Sequence, residues 1–285
     1  MGLSWQQGPL GAKPVGHFLV PEPLPERLLF AEPLRRRMRV RLADEWVADS
    51  EDVVLLHEPN RYPVAYFPLT AVADGVLVAE DRVTEHRDLG PTAWFTVHAE
   101  GGDAARAAWR HTDLPKHADV LRDRVAFAWR AMDAFYEEDE RVLGHAADQY
   151  HRVDIRQTSR HLVVRDGDRV VVDTHRPVAL YESGFAPRWY VHPDDVDRAA
   201  LTRVDGQTFC PYKGVADYYD IGDRGRAAWS YRDAWPEVGR VSGFVSFEPD
   251  VVDVYLDGVK LALEPGQTVT PHGIDRGLDA GEARN

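Results

Sequence analysis

The residues best suited to chemistry lie in "TFCPYKGVADYY", Thr208 to Tyr219, which holds the chain's single cysteine, a lysine three positions on, and three tyrosines. A thiol becomes a nucleophile as its thiolate, and a nearby ammonium favours that charged form, so Cys210 and Lys213 are a candidate nucleophile and its activating cation. Spacing decides whether they meet. In an extended strand residues i and i+3 point to opposite faces, whereas across a turn they converge, and Pro211 followed by Gly214 suits a turn. The competing reading makes Cys210 a small buried apolar group and Lys213 a surface charge.

Glu182 closes the apolar run "PVALYE". It is a candidate base if burial in a cleft raises its pKa, and otherwise a structural salt bridge or turn contact. Tyr190, Tyr212 and Trp229 are candidate substrate contacts, as walls of an apolar pocket or as core, and Tyr218, Tyr219 and Tyr231 share that ambiguity. His192 follows the strand-like "RWYV" and can point into the same pocket as Tyr190. His86 and His175 are isolated bases without the spacing of a metal pair. Asp173 in "VVDT" suits an Asx turn. Nucleotidyl transfer normally needs a glycine-serine turn and paired acids; here the order is reversed at Ser183, and Asp195 with Asp197 forms one loose D-x-D, so that reading is remote. No motif implies a cofactor or a metal, and the phosphate-loop, dinucleotide and hydrolase signatures do not occur.

The elements that position these residues repeat. At an offset of 124, Asp49 meets Asp173, Glu58 meets Glu182, Tyr66 meets Tyr190, and "TEHRDLGPTAWF" lies under "TFCPYKGVADYY". Shared positions, Thr84 with Thr208 and Gly90 with Gly214, read as scaffold. Differing ones, His86 for Cys210, Asp88 for Tyr212 and Leu89 for Lys213, concentrate chemistry in the second copy. Farther on, an offset of 100 pairs Trp129 with Trp229, which predicts about 24 extra residues in the first copy near 98–125. The expected organisation is an extended Pro-rich arm over 1–36, repeats over 37–157 and 158–262, and a mobile tail over 263–285.

Short runs rich in Val, Tyr, Trp and Phe, broken by turns such as "RDGD" and "LDGV", predict a mainly β (β-rich α+β) fold of two similar compact antiparallel domains. Short helices are predicted at "DDVDRAAL", "GVADYY" and "RDRVAFAWRAMDAFYEEDERV". The stretches "VVVDT", "ALYESGFAPRWYVHPDDV", "TFCPYKGVADYY" and "AAWSYRDAWPEVGRVSGFVSFEPDVVDVYLDG" closely resemble the domain-of-unknown-function 427 family in its two-copy form. That resemblance implies a compact β-rich domain, similar to the tent-like folds of small zinc-binding modules but without their cysteines. It implies no established activity, although a nucleotidyltransferase label has been attached to such domains.

Composition narrows the partners. The net charge of −13 disfavours nonspecific binding to nucleic acid or anionic membranes, and no run approaches a membrane span. One cysteine suits a reducing interior, and the N-terminus lacks a signal-peptide pattern, so a cytoplasmic protein is expected. The leading expectation is a small-molecule enzyme or ligand-binding protein with its pocket in the second repeat. The alternative is a noncatalytic interaction module whose repeats pair as a pseudo-dimer.

Overall fold

The computed structural model describes residues 2–262, which fall into two compact units, 18–148 and 2–17 with 149–262. The tail expected over 263–285 lies outside the described residues. The first unit holds β1 (Phe30–Pro33), β2 (Met38–Leu42), β3 (Glu45–Ser50), β4 (Val54–His57), β5 (Val64–Pro68), β6 (Leu77–His86), β7 (Gly90–Ala99), β8 (Gly102–His111), β9 (Arg124–Phe127), β10 (Ala134–Glu137) and β11 (Glu140–Val142). The second holds β12 (Val153–Gln157), β13 (Leu162–Asp166), β14 (Arg169–Thr174), β15 (Val178–Glu182), β16 (Arg188–Val191), β17 (Leu201–Cys210), β18 (Gly214–Ile221), β19 (Arg224–Tyr231), β20 (Val245–Phe247), β21 (Asp253–Leu256) and β22 (Val259–Lys260).

Both units have one topology. A seven-stranded antiparallel sheet runs β1-β4-β5-β9-β8-β7-β6 in the first and β12-β15-β16-β20-β19-β18-β17 in the second. A four-stranded sheet runs β11-β10-β2-β3 in the first and β22-β21-β13-β14 in the second. The protein is therefore β-rich, with two similar domains and only short 3-10 segments among its described residues. No described helix is long and apolar enough to cross a membrane.

Side-chain alternation explains the layers. In β2, Met38, Val40 and Leu42 turn inward while Arg39 and Arg41 turn out, and the inward set meets Leu55, Phe67 and Phe127 of the larger sheet. Burying such an apolar side chain contributes about 1.5–3 kcal/mol, so this inter-sheet layer is a principal source of stability. The larger sheet's opposite face carries a second core, closed by a 3-10 segment (Lys116–Leu121 in the first unit, Pro236–Val241 in the second). Tyr190, Tyr218, Trp229 and Tyr231 lie in this second core, whereas Tyr219 packs in the inter-sheet layer. The aromatic residues are thus divided by face.

Three expectations are corrected. The repeats begin earlier than 37 and 158, because β1 and β12 add to the edges of their sheets and pair with β4 and β15. The 24-residue insertion does not exist: Trp94 pairs with Trp109 as Tyr218 pairs with Trp229, so Trp229 matches Trp109 and not Trp129. The offset falls only from 124 to 120, and the β7–β8 hairpin absorbs the four extra residues, with strands of ten residues against eight. The predicted helices form only as 3-10 turns or not at all: "GVADYY" is strand β18, "DDVDRAAL" spans the end of one three-residue 3-10 turn (Pro193–Asp195) and a second (Arg198–Ala200), and the third segment is β9, a 3-10 turn, β10 and β11. In "GVADYY" the buried Ala216 and Tyr218 follow the two-residue period of a strand, which overrides the helix-like start.

Candidate functional site

The β17–β18 hairpin brings Cys210 and Lys213 together. Cys210 opposes Gly214 in the ladder, and the Lys213 amide donates to the Cys210 carbonyl at 3.2 Å, closing a turn over Pro211 and Tyr212. Gly214 has φ +98°, a conformation open to glycine at little cost, so the turn needs this residue.

Beneath the turn, the Lys213 ammonium donates to Oε2 of Glu182 at 2.5 Å, and both side chains are under a tenth exposed. Oε1 of Glu182 bonds Nε2 of His151 at 2.9 Å, and the fully buried His151 ring stacks on Tyr212 with centroids 3.7 Å apart. His151 lies two residues before β12. Cys210, across the turn from Lys213, is half-buried.

The electrostatics are those of an ion pair set in a protein interior. Burial works against the Glu182 carboxylate, but Lys213 and then His151 overcome it and hold Glu182 down at about 2. Burial likewise opposes the Lys213 ammonium, and Cys210, Glu182 and Tyr190 together keep it above its ordinary value. For Cys210 the balance goes the other way: burial pushes the thiol up despite the pull of Lys213. Burial also lowers His151, against the hydrogen bond to Glu182. At neutral pH the centre is therefore a carboxylate, an ammonium, a neutral imidazole and a thiol. Glu182 is an ion-pair partner here and not a base with a raised pKa.

The first unit repeats the arrangement with other residues. Glu58 takes the place of Glu182 and bonds His86 at 3.1 Å, Arg61 at 3.4 Å, and Arg27. At the offset of 124, Arg27 stands where His151 does, Arg61 where Phe185 does, His86 where Cys210 does, Asp88 where Tyr212 does, and Leu89 where Lys213 does. The Arg27–Asp88 ion pair, 2.6 Å, replaces the His151–Tyr212 stack. Both units thus bury one glutamate at the end of the fourth strand and neutralise it from corresponding positions. Glu58, Arg61, His86, Trp94 and His111 border a cavity of about 260 Å³ in the first unit.

The scaffold positions also correspond. Thr208 bonds the Tyr218 hydroxyl at 2.7 Å, as Thr84 accepts from the Trp94 indole at 2.8 Å. Trp229 donates to the Tyr190 hydroxyl at 3.1 Å, as Trp109 does to Tyr66 at 3.3 Å. Burial pushes the Tyr190 phenol up to about 12. Tyr190 and Trp229 therefore lie behind the centre as buried wall.

Other candidates lie apart. His192 caps a 3-10 turn by accepting the Asp194 amide at 3.2 Å and packs edge-on to Phe244. His175 stacks on His161. Asp173 makes no Asx turn; its carboxylate bonds His161 at 2.7 Å, just as Asp49 bonds Arg37 at the twin positions. Asp195 is held by Thr174 and Arg176, and Asp197 by Arg169. Sequence reasoning misses His151 and Arg27, which the same 124-residue offset reaches when it is followed upstream of the apparent repeats.

A comparison with protein-family models matches the domain of unknown function DUF427 twice, at residues 30–138 and 154–258. Each match covers one of the two sheet pairs. The chain belongs to the DUF427 family. A comparison with curated proteins finds no match. The two DUF427 copies share the buried glutamate and differ in what surrounds it.

Proposed function

We propose that this DUF427 protein binds a small molecule in its second repeat, with Cys210, Tyr212 and Lys213 lining the site, Glu182 and Tyr190 opposite, and Trp229 as an apolar wall. The observation that carries the reading is the buried Lys213–Glu182 pair where the twin has Leu89. The first unit neutralises the matching Glu58 with Arg27, Arg61 and His86 instead, so the fold can balance this glutamate without a lysine at this position. Perturbed, buried ionisable groups cluster at functional sites, and Lys213 with Glu182 forms such a pair beside Cys210.

Glu182 already balances the Lys213 charge. The lysine therefore offers a ligand N–H donors, which suit a carbonyl oxygen better than a second anion. Cys210 is the group placed to react with such a carbonyl compound once it loses its proton. A reducing, cytoplasmic setting and the absence of nucleic-acid partners belong to the same reading. Asp195 and Asp197, engaged by surface arginines, lend nothing to nucleotidyl transfer.

Iodoacetamide, which carries both an amide carbonyl and a thiol-reactive carbon, tests this directly. Its reaction with Cys210, followed by mass spectrometry, is expected to saturate with reagent concentration, whereas 2-iodoethanol, lacking the carbonyl, reacts without saturation. In E182Q/K213M the saturation is expected to vanish. At neutral pH the wild-type rate falls below that of an exposed thiol, because burial holds the thiol protonated. Linear, equal kinetics in both proteins would favour the noncatalytic interaction module instead.

A further inference from the structure

The first unit's cavity of about 260 Å³ is lined by residues other than those of the Cys210–Lys213 centre. Trp94 and Trp109 form one wall, with ring centroids 5.6 Å apart and planes inclined by 38°. The buried polar groups of the lining satisfy one another. His111 bonds the Tyr66 hydroxyl at 3.0 Å and Thr92 at 2.9 Å, and burial lowers its pKa to about 4, so at neutral pH it carries no charge. His86 accepts the Asp88 and Leu89 amides on Nδ1, at 3.2 and 3.1 Å, which leaves Nε2 to donate to Glu58. The charge of Glu58 is met by Arg27 and Arg61. Arg82 is the exception. It is exposed, lines the same cavity, and holds its guanidinium 5.2 Å over the Trp94 ring. Among the described residues that guanidinium makes no hydrogen bond or ion pair. Glu85, also in the lining, alternates with Thr84 and His86 along β6, so its side chain lies on the strand's other face.

The second unit keeps the cation but not the residue. Gly206 stands at the position of Arg82, and Arg226 lies 4.8 Å over Tyr218, the twin of Trp94. Arg226 reaches this ring from β19, whereas Arg82 belongs to β6, the twin of β17. An Nη of Arg226 sits 2.9 Å from where a Cβ on Gly206 would be, so the one arginine takes the place of the other. The guanidinium of Arg226 likewise makes no hydrogen bond or ion pair among the described residues. What the two units share is the cation's place over the ring, and in the first unit that place borders a cavity.

We propose that the first unit's cavity binds a flat aromatic molecule bearing one anionic group, its ring against the Trp94–Trp109 wall and its anion on Arg82. Indole walls suit a π-rich body, and a guanidinium grips a carboxylate through paired N–H donors. Pockets for drug-sized ligands run from about 300 Å³ upward, so this smaller space suits one ring or two fused rings. The proposal does not rest on the Lys213 reading, whose residues lie in the other repeat.

Isothermal titration of the full chain with indole-3-carboxylate, and with indole-3-carboxamide as its uncharged counterpart, tests it. The wild type is expected to bind the carboxylate saturably and the carboxamide at least about tenfold more weakly, the loss of a charge-assisted fork. R82L is expected to bind the carboxylate at least about tenfold more weakly than the wild type. R226L, which removes the matching cation of the second unit, is expected to leave that affinity unchanged. Both arginines are exposed, so neither variant opens a hole in a core. Equal carboxylate affinity in R82L and wild type, an R226L affinity as weak as that of R82L, equal affinity for the two ligands, or no saturable binding by the wild type overturns the proposal.

Discussion

Lys213→Met is expected to destabilise the second unit by about 3–5 kcal/mol, and E182Q/K213M to recover most of that loss. Methionine keeps the length and apolar stem of lysine, so packing changes little. What changes is charge. Glu182, 8% exposed, is left ionised against a neutral His151, and an uncompensated buried carboxylate is costly. Removing the carboxylate's charge as well leaves a glutamine whose carbonyl still accepts from His151, and the desolvation penalty disappears with both ions. Because two units need not unfold together, the readout must report on one of them. Cys210, the only cysteine, reports on the second unit: the urea concentration at which it becomes fully reactive toward a thiol reagent gives that unit's midpoint. A single variant as stable as the wild type, or a double variant no better than the single, would show that the pair is not the energetic unit described.

Acid is expected to remove stability from the second unit between about pH 4.5 and about pH 2, and Glu182→Gln is expected to remove that dependence. The folded protein holds Glu182 at about 2, below the 4.5 of an unperturbed glutamate. A carboxylate with a depressed folded pKa contributes its stability above the unfolded pKa and loses it as pH falls through the folded one. The gap corresponds to a contribution on the order of 3 kcal/mol. The stability difference between wild type and E182Q should therefore be largest at neutral pH and shrink toward zero near pH 2, measured by thiol exposure with dithiodipyridine, which reacts in acid. A difference that stays constant from neutral pH to about pH 3 would place the Glu182 pKa near its ordinary value. The first unit's Glu58 is also held down, but its partners Arg27 and Arg61 are 22% and 29% exposed, so solvent screens that effect.

The β class, the repeat, and the convergence of Cys210, Lys213 and Glu182 are legible from residue types and one constant offset. That offset works because the two units keep one register from Arg27/His151 to Gly90/Gly214. Residue identity misleads farther along the chain. Matching Trp129 to Trp229 through "AWRAMDAF" and "AWSYRDAW" implies an insertion, while the true twins, Ala107–Trp109 and Ala227–Trp229, lie nearer. The expected helices do not form because acidic residues and alanines suggest helix starts locally, whereas pairing in the ladder is decided by distant strands. His151 escapes notice in the sequence because a lone histidine ahead of an edge strand carries no periodic signal. The closed ion pair follows from burial, which sequence spacing does not report.

The residues around the buried glutamate are, on these grounds, interchangeable fittings on one scaffold. The direct test transplants the first unit's set into the second: H151R, F185R, C210H, Y212D and K213L together. The combined variant is expected to unfold in urea in a cooperative second-unit transition, followed by hydrogen exchange of peptides from β12 to β22, with a stability within about 2 kcal/mol of the wild type. A second unit that loses its cooperative transition, though its sheet pattern and glutamate are unchanged, would contradict the claim and assign Cys210, Lys213 and His151 to holding the fold.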